Sequence, residues 1–278
     1  MNFDLHVHPD FSPDATGSVR EYCARARALE LDGLCFTSHY EPDPARVDRE
    51  QVRVGGRLMS AASDWVSCYL AAIDAARDEF PDLRVLAGVE VGYEPGFEPL
   101  VRELLGRHRF EFVLGSVHCI DHLALSSGRE QDEFAERFRC LPPAELMRRY
   151  FDRVGAAAQS GLFDALGHLD IYRKYVVPRL GAELLAAAAA ELPRALAAIA
   201  GSGTAIEVNT SAFRRGDAEP YPAFALLRQA RAAGVERFTT GSDAHRPGDL
   251  GAGLDRARAL LARLGAEPLD PGEFRRHR

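Results

Sequence analysis

Short apolar runs alternate along this chain with longer segments in which apolar residues recur at helical spacing. The runs predict seven β-strands, at Phe3–Val7, Gly33–Thr37, Arg84–Val91, Phe112–Val117, Phe163–Gly167, Thr204–Val208 and Arg237–Thr240. The helical spacing is clearest at Ser18–Leu31, Ala61–Phe80, Pro143–Ser160, Gly181–Ala200, Tyr221–Ala233 and Leu250–Leu264. Strands that alternate with helices indicate a parallel sheet. Seven such units suit a barrel better than an open sheet, although the pattern alone is also compatible with a doubly wound sheet.

No stretch rich in proline, glycine or serine divides the chain, so we expect residues 1–278 to form one domain. Two segments, Glu41–Gly56 and His118–Leu141, are interpreted as insertions because they are charged or polar and show little periodicity. Long loops at strand ends often cover active sites. Whether either segment forms a lid is left open by the sequence.

Composition and charge mainly exclude classes of function. The formal net charge of −7 argues against a nucleic-acid surface, so an anionic substrate would need local positive charge from metal ions or a few arginines. No apolar run approaches the roughly 18 residues of a membrane helix. Cysteines without a CxxC pair and the lack of a recognisable signal peptide predict a soluble, cytoplasmic protein. Lys174 is the only lysine, and its context fits neither a Walker A loop nor a Schiff base.

Histidines collect at one end of the predicted sheet. Six of the nine lie at or just beyond the C-terminal end of a predicted strand: His6, His8, His39, His118, His168 and His245. In a parallel barrel that end carries the active site. The other three, His108, His122 and His277, are expected to be exposed to solvent. The distribution predicts a histidine-rich site at the barrel mouth.

Carboxylates accompany these histidines. His6 and His8 share one face of a strand and can bind one metal ion, while Asp14 follows in the next loop. Asp243 and His245, two residues apart after the seventh strand, form a second pair of candidate ligands.

Glu90 is the least expected of the carboxylates, because it lies in an otherwise apolar strand end, Gly88–Gly92. A buried carboxylate without a partner is costly. No basic residue is close in register, so we expect the partner of Glu90 to be a metal ion.

Motifs from one end of the chain to the other resemble those of the polymerase and histidinol phosphatase (PHP) superfamily, and of its histidinol-phosphatase branch in particular: DLHVH, FTSHYE, GVEVGYE, GSVHCID, GHLDIYRKY, EVNTSAFR and TTGSDAH. The resemblance implies a distorted (β/α)7 TIM-like barrel with up to three divalent metal ions, and mixed ligands of this kind suit Zn, Mn or Fe. By the family pattern, one metal would be bound by His6, His8, Glu90 and Asp243. Glu90 would bridge to a second metal, held also by His118 and His168. The third would be bound by Asp14, His39 and His245, and some relatives have histidine in place of Asp14.

The resemblance also implies an activity, the hydrolysis of L-histidinol phosphate to L-histidinol and phosphate in histidine biosynthesis. A metal-bound hydroxide would attack the phosphorus atom. The catalytic residues at the metals would be Glu90, Asp243 and His245. Candidate substrate-binding residues are Arg173 and Arg214, whose planar forks suit phosphate oxygens, together with Asn209 and Tyr172.

The sequence is also compatible with other functions. The closest is a PHP-type phosphoesterase acting on another phosphomonoester, such as a nucleotide or phosphotyrosine. A metal-dependent amidohydrolase also begins with HxH, but many of those enzymes bridge their metals with a carbamylated lysine, and here Glu90 takes the bridging position. A barrel that keeps metals only for structure or regulation should have lost ligands, yet every matching position is occupied. We expect a small-molecule phosphate ester as partner, with no nucleic acid and no membrane, and leave the oligomeric state open.

Overall fold

The computed structural model describes residues 2–61 and 63–274, and a parallel sheet forms its centre. Its strands, in chain order, are β1 (Phe3–Val7), β2 (Gly33–Phe36), β3 (His39–Tyr40), β4 (Gln51–Val54), β5 (Arg57–Ser60), β6 (Arg84–Gly92), β7 (Phe112–Ser116), β8 (Cys119–Ile120), β9 (Leu123–Ala124), β10 (Ala165–Leu166), β11 (Ala205–Asn209) and β12 (Phe238–Gly241). The spatial order of the main sheet is β1-β2-β6-β7-β10-β11-β12, and every pair in it is parallel. Short strand β3 also pairs with β6.

The first and last strands of this order nearly close the sheet into a barrel. Val7 forms an isolated parallel bridge with Ala244, which lies just beyond β12. The bridge consists of the His8 amide donating to the Ala244 carbonyl at 2.9 Å and the Ala244 amide donating to the His6 carbonyl at 3.3 Å. The predicted seven-stranded α/β barrel is therefore confirmed over the doubly wound alternative. At this seam between β1 and β12, the Ser242 amide also donates to Oδ1 of Asp4 at 2.8 Å.

Helices cover the outside of the barrel. In chain order they are α1 (Val19–Ala28), α2 (Val66–Glu79), α3 (Glu98–Arg107), α4 (Gln131–Phe138), α5 (Pro143–Gln159), α6 (Tyr172–Leu180), α7 (Glu183–Ser202), α8 (Ser211–Arg214), α9 (Phe224–Ala232) and α10 (Leu254–Arg263). Helix α1 illustrates why they form. Ser18 caps its first turn in a reciprocal capping box with Glu21, and Tyr22, Cys23 and Ala26 form its buried face.

The main core lies between the sheet and the surrounding helices. Helices α5 and α7 pack along each other, and α5 buries Leu146, Tyr150 and Val154 at helical spacing. By length and composition alone, α7 could cross a membrane, a property that the sequence analysis did not anticipate. In the fold, α7 buries a stripe that includes Leu192 and Leu196 against the protein.

Several elements differ from the sequence predictions. The fifth predicted strand, Phe163–Gly167, is reduced to Ala165–Leu166. Helices α3, α4, α6 and α8 were not predicted, and two of them, α4 with 8 residues and α8 with 4, are too short for an apolar period to show. Helix α4, for example, lies inside the segment His118–Leu141 and buries only Phe134 and Phe138, one turn apart.

The two predicted insertions lie against each other at the barrel mouth. The first contains a 3₁₀ turn at Pro44–Arg46 and leads into the β4–β5 hairpin, whereas the second contains the β8–β9 hairpin and α4. Arg46 joins them and is only 4% exposed. Its two terminal nitrogens each donate to Glu130 at 2.8 Å, and Nε donates to Glu50 at 2.8 Å. This buried arginine therefore links the two walls of the mouth.

Candidate metal centre

The barrel brings the predicted ligands together at the C-terminal ends of its strands. His6 lies on β1, His39 on β3 and Glu90 on β6. The other candidate ligands follow strand ends: His8 follows β1, His118 follows β7, His168 follows β10, and Asp243 and His245 follow β12. We call the side chains of His6, His8, His39, Glu90, His118 and His168 the Glu90 cluster. Apart from His39, which is partly exposed, all of them are buried.

The two carboxylate oxygens of Glu90 face different histidines. Oε2 lies 3.3 Å from Nε2 of His6 and 3.4 Å from Nε2 of His8. Nδ1 of His39 is 2.9 Å from the same oxygen. On the other side, Oε1 lies 3.2 Å from Nε2 of His118 and 3.1 Å from Nε2 of His168. Glu90 therefore stands between two groups of imidazoles, as a carboxylate that bridges two cations does.

The orientation of these atoms indicates cations as their common partner. Oε2 of Glu90 and Nδ1 of His39 are buried and close, yet neither forms a hydrogen bond within the described residues. Two buried donor atoms that lie this close without a hydrogen bond between them are both oriented as ligands of a shared cation would be. In a tetrahedral zinc site, ligands about 2.0–2.2 Å from the ion lie roughly 3.3–3.6 Å apart. The distances from Glu90 to His6 and His8 fall in this range, and those to His118, His168 and His39 are 0.1–0.4 Å shorter. The donor set therefore fits divalent metal ions.

A further group of donors borders the cluster. Oδ1 of Asp243 lies 3.6 Å from Nε2 of His6 and 3.5 Å from Nε2 of His8. The His245 ring stacks on the His8 ring with centroids 4.2 Å apart, and its Nε2 is 3.4 Å from Oδ2 of Asp14. The Asp14 side chain is 54% exposed. It is thus the most open to solvent of the predicted ligands.

Two carboxylates that the sequence analysis did not select orient histidines of the cluster. Nδ1 of His6 lies 2.6 Å from Oε1 of Glu207, and Nδ1 of His118 lies 2.6 Å from Oε1 of Glu41. A carboxylate at Nδ1 requires a proton there, and the Nε2 lone pair is then directed at the cluster. Partners of this kind fix both the tautomer and the orientation of a metal ligand.

Glu207 is the more deeply buried of the two, at 1% exposure. Its Oε2 also accepts hydrogen bonds from the His168 amide at 3.0 Å and from Nδ2 of Asn209 at 3.1 Å. The sequence carried a signal for Glu207, because it interrupts an apolar strand in the same way as Glu90. Glu41 carried no comparable signal, since it lies in a charged loop.

Opposite charges within the site set the ionisation of its carboxylates. Burial opposes ionisation of Glu90, but His6 and His118 hold the pKa of Glu90 well below its usual range. Burial likewise opposes ionisation of Asp243, whereas His6 and His245 lower the pKa of Asp243 to about 2. Both groups are therefore anionic at neutral pH and need positive charge beside them.

The backbone at two candidate ligands lies in the left-handed region that residues other than glycine rarely adopt. His168 has φ +27° and Asp243 has φ +55°. Strain of this kind is stored preferentially at functional sites, where the surrounding structure enforces it. The packing beside Asp243 is also close, because Gly241 has no room for a Cβ atom between His6 and Glu207.

The four predicted substrate-binding residues are engaged with the protein itself. Arg173 donates to Asp170 and to the Pro220 carbonyl, and Tyr172 is buried against Tyr150. Neither of these two predicted residues lines the cavity above the metal centre.

Arg214 and Asn209 lie close to Asp243 instead. Arg214 donates to the carbonyls of Ser242 at 2.6 Å and Asp243 at 2.9 Å. Asn209 donates to the Asp243 carboxylate at 3.3 Å. Both therefore hold the Asp243 loop in the observed structure, and their role as substrate contacts stays a prediction.

Of the histidines expected outside the site, His122 is exposed, as predicted, although its Nδ1 lies 2.6 Å from Asp43. His108 is only partly exposed, and His277 lies outside the described residues.

A cavity of about 370 Å³ opens above the metal centre. Its floor includes His39, Glu90, His118, His168, Asp243 and His245. Its walls come from both insertions and from α6. A small organic substrate can therefore reach the Glu90 cluster from solvent.

Comparison with known proteins identifies a matching family and several relatives. The family model described as "PHP domain" matches residues 4–211. A "Probable histidinol-phosphatase" of Deinococcus radiodurans is 36% identical over 254 residues, which cover 89% of this chain and 88% of the relative. The "Histidinol-phosphatase" of Lactococcus lactis is 24% identical over 96% of this chain and 92% of its own length. A crystal structure of a Lactococcus lactis histidinol phosphate phosphatase, in complex with zinc, L-histidinol and phosphate, matches 96% of this chain and 95% of its own with a TM-score of 0.76 and 24% identity.

Fold and site together define a parallel α/β barrel with a histidine and carboxylate centre at its mouth. The chain belongs to the PHP domain family. The resemblance noted from the sequence motifs is thereby confirmed, including the likeness to its histidinol-phosphatase members.

Proposed function

We propose that this protein hydrolyses L-histidinol phosphate to L-histidinol and inorganic phosphate, with divalent metal ions bound at the Glu90 cluster. The observation that carries the proposal is the division of the two Glu90 oxygens between two groups of histidines on the floor of an open cavity. The similarity to the Deinococcus relative, over nearly the whole of both chains, supports the substrate.

The family pattern assigns these donors to three metal positions, and His8, His39 and His245, like His6, His8 and Glu90, are close enough to hold an ion together. The first would be bound by His6, His8, Glu90 and Asp243. The second would be bound by Glu90, His118 and His168. The third would be bound by Asp14, His39 and His245. Ligands of this mixed type suit Zn, Mn or Fe.

When bound, such ions lower the pKa of water and neutralise charge on a phosphoryl group. The residues of the chain prepare the site for them. Glu90 and Asp243 supply fixed negative charge at its centre. His245 donates from Nδ1 to the Asp243 carbonyl at 3.1 Å, which leaves its Nε2 lone pair facing the cavity side with Asp14. We assign Glu90, Asp243 and His245 as the catalytic residues.

The test is phosphate release from L-histidinol phosphate, compared with a nucleotide monophosphate and phosphotyrosine. Protein stripped with a chelator is assayed before and after reloading with Zn, Mn or Fe. We expect preferential turnover of histidinol phosphate that the chelator abolishes and metal restores. Equal or better turnover of another ester would overturn the substrate but leave the phosphatase chemistry.

Glu90→Gln removes the bridging charge and should abolish turnover, with a loss of at least about 10³-fold because both metal positions share this group. The matched control is Glu136→Gln, since the Glu136 side chain is 70% exposed and pairs with Arg139 at the surface. Full activity of Glu90→Gln protein would refute the site assignment.

A further inference from the structure

Four cationic side chains line the cavity above the metal centre: Arg46, Arg49, Arg129 and Lys174. Two of them are already neutralised by protein carboxylates. Arg46 pairs with Glu50 and Glu130, and Arg49 pairs with Glu130 and Glu133. Lys174 and Arg129 form no ion pair within residues 2–61 and 63–274. Besides the metal ions of the proposed function, unpaired positive charge for a bound anion would therefore come from these two residues.

Lys174 is the better placed of the two. Arg129 is exposed on a loop, whereas Lys174 is partly buried on the first turn of α6, which begins four residues after His168. The Lys174 ammonium group lies 5.1 Å from the ring centroid of Tyr175, which also lines the cavity. The Tyr175 hydroxyl approaches Gly128 on the second insertion, so this loop and α6 enclose the same side of the cavity.

The neighbouring arginine points elsewhere. Consecutive residues on an α-helix lie about 100° apart around the axis. The guanidinium group of Arg173 lies 2.8 Å from Oδ2 of Asp170 and 5.2 Å from the ring centroid of Tyr221. Of the two adjacent cations in the GHLDIYRKY motif, only Lys174 lines the cavity.

We infer that Lys174 is a substrate-contacting residue whose ammonium group binds the phosphate of the ester and, after hydrolysis, the released inorganic phosphate. An ammonium group is a compact charge with three donors and serves as a phosphate binder in many proteins. The inference deepens the proposed function and rests on it for the identity of the ester. It does not depend on which phosphomonoester is preferred.

Kinetics of Lys174→Met and Lys174→Arg test the assignment. A charge-assisted hydrogen bond contributes roughly 1.5–3 kcal/mol, so Lys174→Met should raise KM for the ester and the inhibition constant of inorganic phosphate about 10–100-fold. Metal content should stay unchanged, and Lys174→Arg should recover part of the loss. The control is Arg179→Met on the same helix, whose side chain pairs with Asp132 outside the cavity. Unchanged constants in Lys174→Met would overturn the inference.

A second measurement needs no variant, because Lys174 is the only lysine in the chain. Metal-loaded protein is acetylated with an amine-reactive ester and analysed by peptide mass mapping. The rate of acetylation of Lys174 is then compared with that of the α-amino group, which serves as the internal reference. Inorganic phosphate should slow acetylation of Lys174 at least about 10-fold and leave the α-amino group unaffected. Equal rates with and without phosphate would refute the contact. Protection would hold even if histidinol phosphate proved not to be the substrate, so the two proposals fail separately.

Discussion

Nδ1 of His6 lies 2.6 Å from Oε1 of Glu207, and both side chains are almost completely buried. The pair fixes the His6 proton on Nδ1, so that the Nε2 lone pair faces Glu90. It also ties two strands of the barrel together, because His6 lies on β1 and Glu207 on β11. A single carboxylate thus sets the chemistry of a candidate ligand and the geometry of the strand that carries it.

Replacing this carboxylate should weaken metal binding. The neutral amide in Glu207→Gln no longer offers the His6 Nδ1–H group an anionic hydrogen-bond acceptor, and loss of such a partner typically lowers metal affinity or activity 10–100-fold. Competition of the protein with a chromophoric chelator measures the affinity. Glu136→Gln, on the exposed surface, should bind metal like the wild type. Wild-type affinity in Glu207→Gln would show that Glu207 is structural only.

Gly241 offers a steric test of the same region. A Cβ atom at this position would overlap His6 and the Glu207 carboxylate, both of which are buried. We therefore expect Gly241→Ala to lose at least about 10-fold in turnover, because misplacement of a catalytic group by 1 Å can cost 10²-fold. Gly106→Ala is the control, since Gly106 in α3 has open space around it and alanine favours the helix. Equal activity of the two variants would contradict the close packing.

The link between the insertions should be visible in stability. Removing one partner of a buried ion pair costs about 3–5 kcal/mol, so Arg46→Met should lower the free energy of unfolding by that amount at pH 7. Arg20→Met should cost less than about 1 kcal/mol, because its pair with Glu79 is largely exposed. Urea denaturation of the three proteins gives the comparison. Similar losses in both variants would show that the insertions do not depend on Arg46.

The loss in Arg46→Met should also depend on pH. Burial opposes ionisation of Glu130, but hydrogen bonds from Arg46 and the Ala124 amide lower the pKa of Glu130 below its usual value. Its contribution is therefore complete above the unfolded pKa of about 4.3 and disappears as the pH falls through the lower folded value. The difference between wild type and Arg46→Met should shrink below about pH 4. A difference that stays constant from pH 7 to pH 3 would rule out this ion pair as its source.

Metal binding should stabilise the fold by mass action. A ligand that binds only the folded state adds about 4.1 kcal/mol at 1,000 times its dissociation constant. Urea denaturation with and without added zinc measures the effect, which Glu90→Gln should abolish. The same gain in Glu90→Gln protein would place the stabilising metal at another site.

The sequence was most informative where a polar residue interrupts an apolar strand or follows its end. Alternation along the first strand predicted His6 and His8 on one face, and Glu90 stood out because it interrupts an apolar strand. Glu207 showed the same signal and could have been found by it. All of these residues lie where strand geometry fixes the direction of the side chain.

Residues outside the strands were harder to place. The different directions of Arg173 and Lys174 depend on the rotation of α6 about its axis, and the sequence of α6, with Pro178 inside it, shows no clear apolar period. Arg46 and Glu130 are 84 residues apart, and nothing in their local sequence indicates that they meet. Contacts between insertions come from tertiary packing, which a single sequence does not encode in a readable pattern.

Metal binding would also affect the seam between β1 and β12. His8 comes directly after β1 and Asp243 comes two residues after β12, on the two sides of this seam, and their donor atoms lie 3.5 Å apart. In polymer terms, an ion shared by these two side chains would be a cross-link that closes a loop of almost the entire chain. The entropy that such a cross-link removes grows with loop length. Release of the ion would therefore remove one constraint between the first strand and the last, which would then be joined by the Val7–Ala244 bridge and by the hydrogen bond from the Ser242 amide to Asp4.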